Sequence, residues 1–151
     1  MCGWRIKKNG NQSEQALGKS RGGFSTKIHI LVDALGYPLR FILTAGQRHD
    51  ITRAEALIES FEFKHAMADK AYDADSLLEA IAAIGAEAVI PPSKNRTGQR
   101  DYDKHLYKER HLVECFINKI KWFRRIFTRY DKLAQRYAAF LHLAGALVWL
   151  R

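Results

Sequence analysis

Four polar residues recur at helical spacing in the segment YKERHLVECFINKIK: Tyr107, Arg110, Glu114 and Lys121. The segment contains neither Gly nor Pro, and at about 100° per residue a helix would hold the four within an arc of roughly 60°. On the same wheel an apolar set gathers on the opposite side, namely Leu112, Val113, Phe116, Ile120, Phe123 and Phe127. We therefore predict a helix that buries one face and presents a carboxylate, two cations and a phenol on the other.

The stripe also has a simpler interpretation as a solvated helix face. Arg110 and Glu114 stand four residues apart, and such a surface ion pair contributes only a few tenths of a kcal/mol. Charged outer faces are common in globular proteins. The residues of this segment alone leave both interpretations open.

A second carboxylate that could act with Glu114 is Asp69, which follows the short apolar segment HAM in ADKAYD. The crevice outside the carboxyl ends of parallel strands is where α/β sheets commonly bind ligands. Mg²⁺ prefers oxygen ligands and often takes one or two protein carboxylates. We predict that Asp69 and Glu114 share a cation, with a turn aspartate as the alternative for Asp69. Asp73 and Asp75 are interpreted as turn and cap residues.

The elements that must position these side chains follow the order β-β-α-β-α-β-loop-α-α. A hairpin leading into βαβ units indicates an α/β fold with one mixed sheet and helices packed on it. Residues 1–22 are predicted to be a loose polar segment, and residues 23–151 the folded domain. The predicted elements are strands 24–34 and 39–45, a helix 50–61 capped by Asp50, a strand ending near Asp69, a helix 74–85 closed by Gly85, a strand 86–92, a basic loop 93–105, and helices 106–128 and 131–150.

Charge is distributed unevenly along the 151 residues, whose formal net charge is +9. Residues 61–91 hold 2 basic against 6 acidic residues, whereas residues 92–151 hold 14 against 5. A basic arm beside an acidic segment favours a polyanionic partner next to a cation site. The predicted phosphate-contacting residues, which surround Trp122, are Lys94, Arg96, Arg100, Lys119, Lys121, Arg124, Arg125 and Arg129.

Cysteine content and hydropathy bear on the compartment. The two cysteines, Cys2 and Cys115, do not suggest a disulfide framework, which favours a reducing cytoplasm. The most apolar run, YAAFLHLAGALVWL, has 14 residues and includes His142, whereas a membrane span needs about 20. We predict a buried core helix there and no membrane partner.

The segment GKSRGGFSTKIHILVDALGYPLRFILTAGQRHD, followed by ADKAYDAD, resembles bacterial insertion-sequence transposases of the DDE type. The spacing of Tyr107, Arg110, Glu114 and Lys121 matches that family's Y-(2)-R-(3)-E-(6)-K motif at every position. The resemblance extends from about residue 17 to the C-terminus and corresponds to the family's C-terminal catalytic portion.

The resemblance implies a ribonuclease-H-like catalytic core that cuts the ends of an element and joins them to target DNA. In that family three acidic residues hold two Mg²⁺ ions, which lie about 3.5–4 Å apart in two-metal sites. By correspondence, Asp69 matches the second acid and Glu114 the third. Tyr107, Arg110 and Lys121 match the supporting positions, where the two cations are suited to holding phosphates.

The family's first Asp has no counterpart in this sequence, because residues 1–16 contain no Asp and only Glu14 as an acid. The strand that would carry it is also missing from the pattern. We therefore expect a partial catalytic domain, from a split or frameshifted gene or a decayed copy. The expected partners are double-stranded DNA together with an upstream fragment or a second copy. The alternative function is a non-catalytic DNA-binding remnant or an inhibitor of transposition.

Overall fold

The computed structural model describes residues 15–20, 23–47 and 49–151. Of the segment 1–22 predicted to be loose, residues 1–14 and 21–22 lie outside the described ranges. Within this segment, strand β1 (Gly18–Ser20) pairs antiparallel with the start of β2.

A β-hairpin forms the first half of the fold, as predicted. Strands β2 (Gly23–Val32) and β3 (Pro38–Ala45) pair antiparallel, with Ile28 opposite Leu43 and Ile30 opposite Phe41. Asp33 builds the turn, because its carboxylate accepts the backbone N–H groups of Leu35 and Tyr37 at 2.9 and 2.8 Å. The alternation at Ile28, Ile30 and Val32 places these side chains against the larger hydrophobic core.

A parallel β-α-β unit forms the second half. Strand β4 (His65–Met67) pairs with β5 (Glu87–Val89), and helix α2 (Asp75–Ala83) connects them. Helix α2 ends as predicted, since Gly85 takes a left-handed φ of +73° after its last turn. Leu77 and Ile81 of α2 and Ile90 after β5 are buried in a second, smaller core.

The predicted single mixed sheet is replaced by two sheets in the described residues. One has the order β1-β2-β3 and is antiparallel, and the other is the parallel pair β4-β5. Hairpin strands pair with their sequence neighbours, whereas joining the hairpin to β4 requires a strand from elsewhere in the chain. No strand of the described ranges has that position. The α/β class is confirmed, and the mixed single sheet is wrong for this part of the chain.

The helix predicted over residues 50–61 is shorter and irregular. It begins as a 3₁₀ turn at Asp50–Arg53 and continues as helix α1 (Ala54–Ile58). Asp50 is not its N-cap, a position that His49 takes, and instead pairs with Lys27 at 3.1 Å. Arg40 of β3 ends the helix by donating from Nη1 to the carbonyls of Ala56 and Glu59 at 2.6 and 2.8 Å.

The long helix predicted over residues 106–128 is divided into three pieces. A 3₁₀ segment at Leu106–Arg110 leads into α3 (His111–Lys121), and α4 (Arg124–Phe127) follows a break at Phe123. A continuous helix would have turned Phe127 toward the core and Ile126 away from it. The break reverses this, because Ile126 is buried and Phe127 is 70% exposed. The prediction of a buried Phe127 is therefore wrong.

The last helix, α5 (Ala134–Trp149), confirms the prediction of a core helix. Its side chains Tyr137, Leu141 and Val148 are buried against α3, α4 and the hairpin. Gly145 allows a close approach to β3, since a Cβ there would stand 3.2 Å from Phe41 and Pro38 side-chain atoms. None of the helices in the described ranges combines the length and hydropathy needed to cross a bilayer.

Arg129 ties the described N-terminal residues to the C-terminal helices. Its guanidinium donates to the carbonyl oxygens of Gln15 and Asp131 at 2.8 and 2.9 Å and to the hydroxyl of Thr26. Weaker bonds reach the carbonyls of Ala16 and Lys132 at 3.3 and 3.2 Å. Only a planar five-donor group can serve so many acceptors from one point.

We predict that Arg129→Ala lowers the free energy of unfolding by about 2–3 kcal/mol, because several partly buried acceptors lose a charged donor. Arg129→Lys should lose most of the same stability, since an ammonium group cannot reproduce the fork. Urea unfolding followed by circular dichroism measures both. Arg124→Ala is the control, because Arg124 is exposed and should change stability by less than about 0.5 kcal/mol. Equal losses in the Arg129 and Arg124 variants would contradict the role of Arg129.

Candidate catalytic and DNA-binding site

The polar stripe predicted from the sequence is present on one exposed face. The Nη2 group of Arg110 donates to Oε1 of Glu114 at 2.7 Å, and its guanidinium carbon lies 5.7 Å from the centre of the Tyr107 ring. Lys121 is exposed two turns further along α3. Phe116 and Ile120 are buried on the opposite face, at 1% and 3% exposure. The amphipathic prediction is thus confirmed for α3.

The 3₁₀ segment before α3 brings the first two members of the stripe together. Side chains three residues apart eclipse one another in a 3₁₀ helix, which places Tyr107 over Arg110. Asp103 starts this segment by accepting the backbone N–H groups of His105 and Leu106 at 2.7 and 2.9 Å. These two bonds hold the pKa of Asp103 below its usual value. Tyr102 packs edge-on against Tyr107, with ring centres 5.5 Å apart.

Asp69 follows β4 by two residues, at the carboxyl end of this parallel strand. Its carboxylate accepts the backbone N–H of Ala71 at 2.8 Å and so caps the 3₁₀ turn Lys70–Tyr72. The residue is exposed and is therefore both a turn aspartate and an accessible carboxylate. The two alternatives considered for Asp69 are compatible in the structure.

The electrostatics relate Asp69 to the stripe. The hydrogen bond that Arg110 donates to Glu114 is the main cause that raises the pKa of Arg110, and electrostatic contributions from Glu114, Tyr107 and Asp69 add to it. Strand β4 also contacts the 3₁₀ segment that carries Tyr107 and Arg110. Glu114 is therefore the main electrostatic partner of Arg110, and Asp69 makes the smallest of these contributions.

Tyr72, to which the sequence assigned no role, lies beside Asp69. Burial raises the pKa of Tyr72 to about 12, with further contributions from the negative charges of Asp50 and Asp69. Its phenol thus stays protonated at neutral pH and remains a hydrogen-bond donor. The segment ADKAYDAD includes Tyr72, but no periodic pattern predicted its buried environment, which comes from the contact of two 3₁₀ turns distant in sequence.

The two carboxylates predicted to bind a cation are each partly engaged in hydrogen bonds. Asp69 and Glu114 each have one oxygen engaged, by Ala71 and Arg110 respectively, which leaves one oxygen of each for a metal or water. Both are exposed, as a cation retaining water ligands requires. Within the described ranges, however, no three acidic, histidine or cysteine side chains form a group that could hold a metal ion.

Asp73, which the sequence placed in a simple turn, is the centre of a buried ion network. Its side chain has 0% exposure and accepts the backbone N–H of Ser93 at 2.6 Å. Arg96 and Arg100 donate to its other oxygen at 2.9 and 3.1 Å. Arg96 also pairs with Asp75. The network fastens the loop after β5 to the turn that begins at Asp69.

A known protein family matches the region of this chain that contains Asp69 and the stripe. The transposase DDE domain family matches residues 3–149. This chain belongs to that family. The match begins before the segment on which the resemblance was based, and it includes Asp69 and the whole stripe. No solved structure matches the chain closely enough to count as similar.

Two relatives of this transposase domain are named for insertion sequences. A protein of Brucella ovis named as the transposase for element IS6501 is 43% identical over 129 residues, which is 84% of this chain and 99% of the relative. A protein of Burkholderia cepacia named as the transposase for element IS402 is 31% identical over 135 residues, or 82% of this chain. The aligned region spans 62% of the length of the second relative. The insertion-sequence family predicted from the sequence is confirmed.

Three of the predicted DNA-contacting arginines of the transposase domain are engaged inside the fold. Arg96 and Arg100 pair with Asp73, and Arg129 binds backbone carbonyls. The remaining predicted residues, all exposed, are Lys94, Lys119, Lys121, Arg124 and Arg125. The part of the predicted basic set that is exposed and without a partner carboxylate or carbonyl in the described residues is therefore smaller than the whole set.

We predict that Asp73→Asn destabilises the domain by about 3 kcal/mol at pH 7, because two arginines lose a buried partner. Burial raises the pKa of Asp73, but the Ser93 N–H bond and the two arginines outweigh it and hold the pKa below its usual value. The stabilisation is therefore complete above about pH 4 and disappears as the pH falls through the lowered pKa. Thermal unfolding from pH 7 to pH 2 should show the two proteins converging at the acidic end. A constant difference over that range would contradict the assignment.

Proposed function

We propose that this domain supplies the second and third acidic residues of a metal-dependent site that cleaves DNA strands and joins them in transposition. The observation that carries the proposal is the contiguous group of Tyr107, Arg110 and Glu114, with Asp69 exposed after β4, the strand that contacts the same 3₁₀ segment. Asp69 and Glu114 are the proposed catalytic carboxylates. The family match and the insertion-sequence relatives favour this function over a non-catalytic remnant.

Asp69 and Glu114 would hold Mg²⁺ through the oxygens that Ala71 and Arg110 leave open. When bound, divalent metal makes the attacking hydroxyl more acidic and stabilises the leaving oxygen at phosphorus. Because Arg110 already neutralises part of the charge of Glu114, the site favours weak binding of a first metal. A second metal would need a further carboxylate, which the family places upstream.

The cations of the stripe would position the scissile phosphate. Arg110 can use donors beyond the one bound to Glu114 to reach phosphate oxygens. Lys121, two helical turns beyond Glu114, offers a second positive charge on a flexible side chain. The Tyr107 ring supports the Arg110 guanidinium from one side. These residues bind and orient DNA, whereas the carboxylates serve the metal.

The ribonuclease-H-like core would require a strand that joins the two sheets. The described residues form β1-β2-β3 and β4-β5 as separate sheets. The proposed site also needs a further carboxylate near Asp69, which follows β4. A strand carrying an Asp and lying between the sheets would supply both. The source of that strand could be an upstream transposase fragment or a second copy, and double-stranded DNA is the substrate in either case.

We predict that this chain alone does not cleave DNA carrying the ends of its element, with Mg²⁺ or Mn²⁺ present. A longer chain with the upstream Asp strand in frame should cleave it. In the longer chain, Asp69→Asn and Glu114→Gln should each slow cleavage by about a hundredfold or more, since small displacements in such sites already cost that much. Glu109→Gln is the control, because Glu109 is an exposed carboxylate on the neighbouring turn. If the short chain matches the longer one and depends equally on Glu114, the proposal of an incomplete site is wrong.

We predict that the chain binds duplex DNA with little sequence preference, and that affinity falls at least tenfold between 50 and 200 mM salt. Lys119→Gln combined with Arg124→Gln should reduce the slope of log affinity against log salt by about 2, because two phosphate contacts are lost. Lys64→Gln, in the acidic segment 61–91, should leave the slope unchanged. Fluorescence anisotropy with labelled DNA measures these slopes. If the affinity for DNA does not change between 50 and 200 mM salt, the proposal that these cations bind DNA phosphates is wrong.

A further inference from the structure

Trp122 is the most exposed large apolar side chain of the described residues, at 88%. It stands at the break between α3 and α4, where the next residue, Phe123, turns into the main core. An indole presents one of the largest apolar surfaces of any side chain, and leaving it in water is unfavourable. An exposed indole also offers a flat aromatic face on which a nucleic-acid base can stack.

The backbone places Trp122 beside the stripe, on the neighbouring face of α3 and away from the buried side. Its dihedrals, φ −64° and ψ −22°, continue the helix for one residue beyond Lys121. Eight residues separate it from Glu114, which corresponds to about 12 Å along the axis and a rotation of about 80°. Nucleotides in a stacked strand are about 3.4 Å apart. The axial separation of Trp122 and Glu114 therefore equals the length of three to four stacked nucleotides.

The neighbours of Trp122 are cationic, and of these Arg125 lies with its guanidinium carbon 4.3 Å from the centre of the Phe140 ring. Lys119, Lys121, Arg124 and Arg125 flank it and are exposed. In the described part of the chain, no carboxylate forms an ion pair with any of them. An apolar ring surrounded by unpaired cations fits a polyanion with aromatic bases better than it fits an apolar protein surface.

We propose that Trp122 is a stacking site for an unpaired DNA base, three to four nucleotides from the position of Glu114. The flanking cations bind the backbone on both sides while the indole face covers the base. A base inside a duplex is already stacked on its neighbours, so the site selects a single-stranded overhang or an opened end. This inference rests on the proposed function, because it requires DNA along the stripe.

The test compares two labelled DNAs in fluorescence anisotropy: a blunt duplex, and the same duplex with a single-stranded overhang of about five nucleotides. The intact chain should bind the overhang DNA about tenfold more tightly. Trp122→Ala and Trp122→Leu should lose that preference and keep the affinity for the blunt duplex. Trp122→Phe should keep most of the preference, because it retains an aromatic face.

Leu150→Ala is the matched control, since Leu150 is 83% exposed and lies outside the cationic group. Circular dichroism of each variant checks that folding is unchanged, as expected for exposed side chains. The inference is overturned if the intact chain shows no preference for the overhang, or if Trp122→Leu retains it. Absence of binding to both DNAs would instead overturn the proposed function, and the inference with it.

Discussion

Burial of one face of α3 is the constraint on which the rest of the site depends. Phe116 and Ile120 pack against the hairpin and α5, and this packing fixes the rotation of the helix about its axis. Because the apolar side is held, Glu114 and Lys121 must face outward. The 3₁₀ segment Leu106–Arg110 then continues the polar face to Tyr107 and Arg110. Asp103 holds the start of this segment by accepting the backbone N–H of Leu106. A change in core packing would therefore rotate Glu114, the proposed catalytic carboxylate, out of the exposed face.

Arginine has two different uses in this domain. Arg40, Arg100 and Arg129 serve the fold, because each donates to backbone carbonyls, and Arg100 and Arg96 also neutralise buried Asp73. These contacts hold irregular segments that have few strand or helix bonds of their own. The exposed cations around Trp122 lack such acceptors within the described ranges. The positive charge of residues 92–151 is thus divided between arginines that hold loops in place and exposed cations that we propose to contact phosphate.

Asp69 and Glu114 are positioned by elements that belong to, or pack on, two separate sheets of the described residues. This separation explains why neither belongs to a cluster of three possible metal ligands there. Asp69 is positioned by β4 and its turn, and Glu114 by a helix packed on the other sheet. The link between the two halves in this region is the contact of β4 with the 3₁₀ segment before α3. A further strand between the sheets would strengthen that link and bring in a third acid. Catalysis and completion of the fold would then depend on one added segment.

The sequence by itself determined the local elements and the polar stripe. The alternation at Ile28 and Ile30, the turn at Asp33 and the spacing from Tyr107 to Lys121 are periodic or short-range signals, and helix and strand geometry converts them directly into faces. Only the tertiary structure decided which arginines are available and where the long helix breaks. Arg100 and Asp73 are 27 residues apart, and Ile126 is buried because Phe123 interrupts the helix. Contacts between distant segments leave no period in a sequence, and so the division into two sheets also could not be predicted from it.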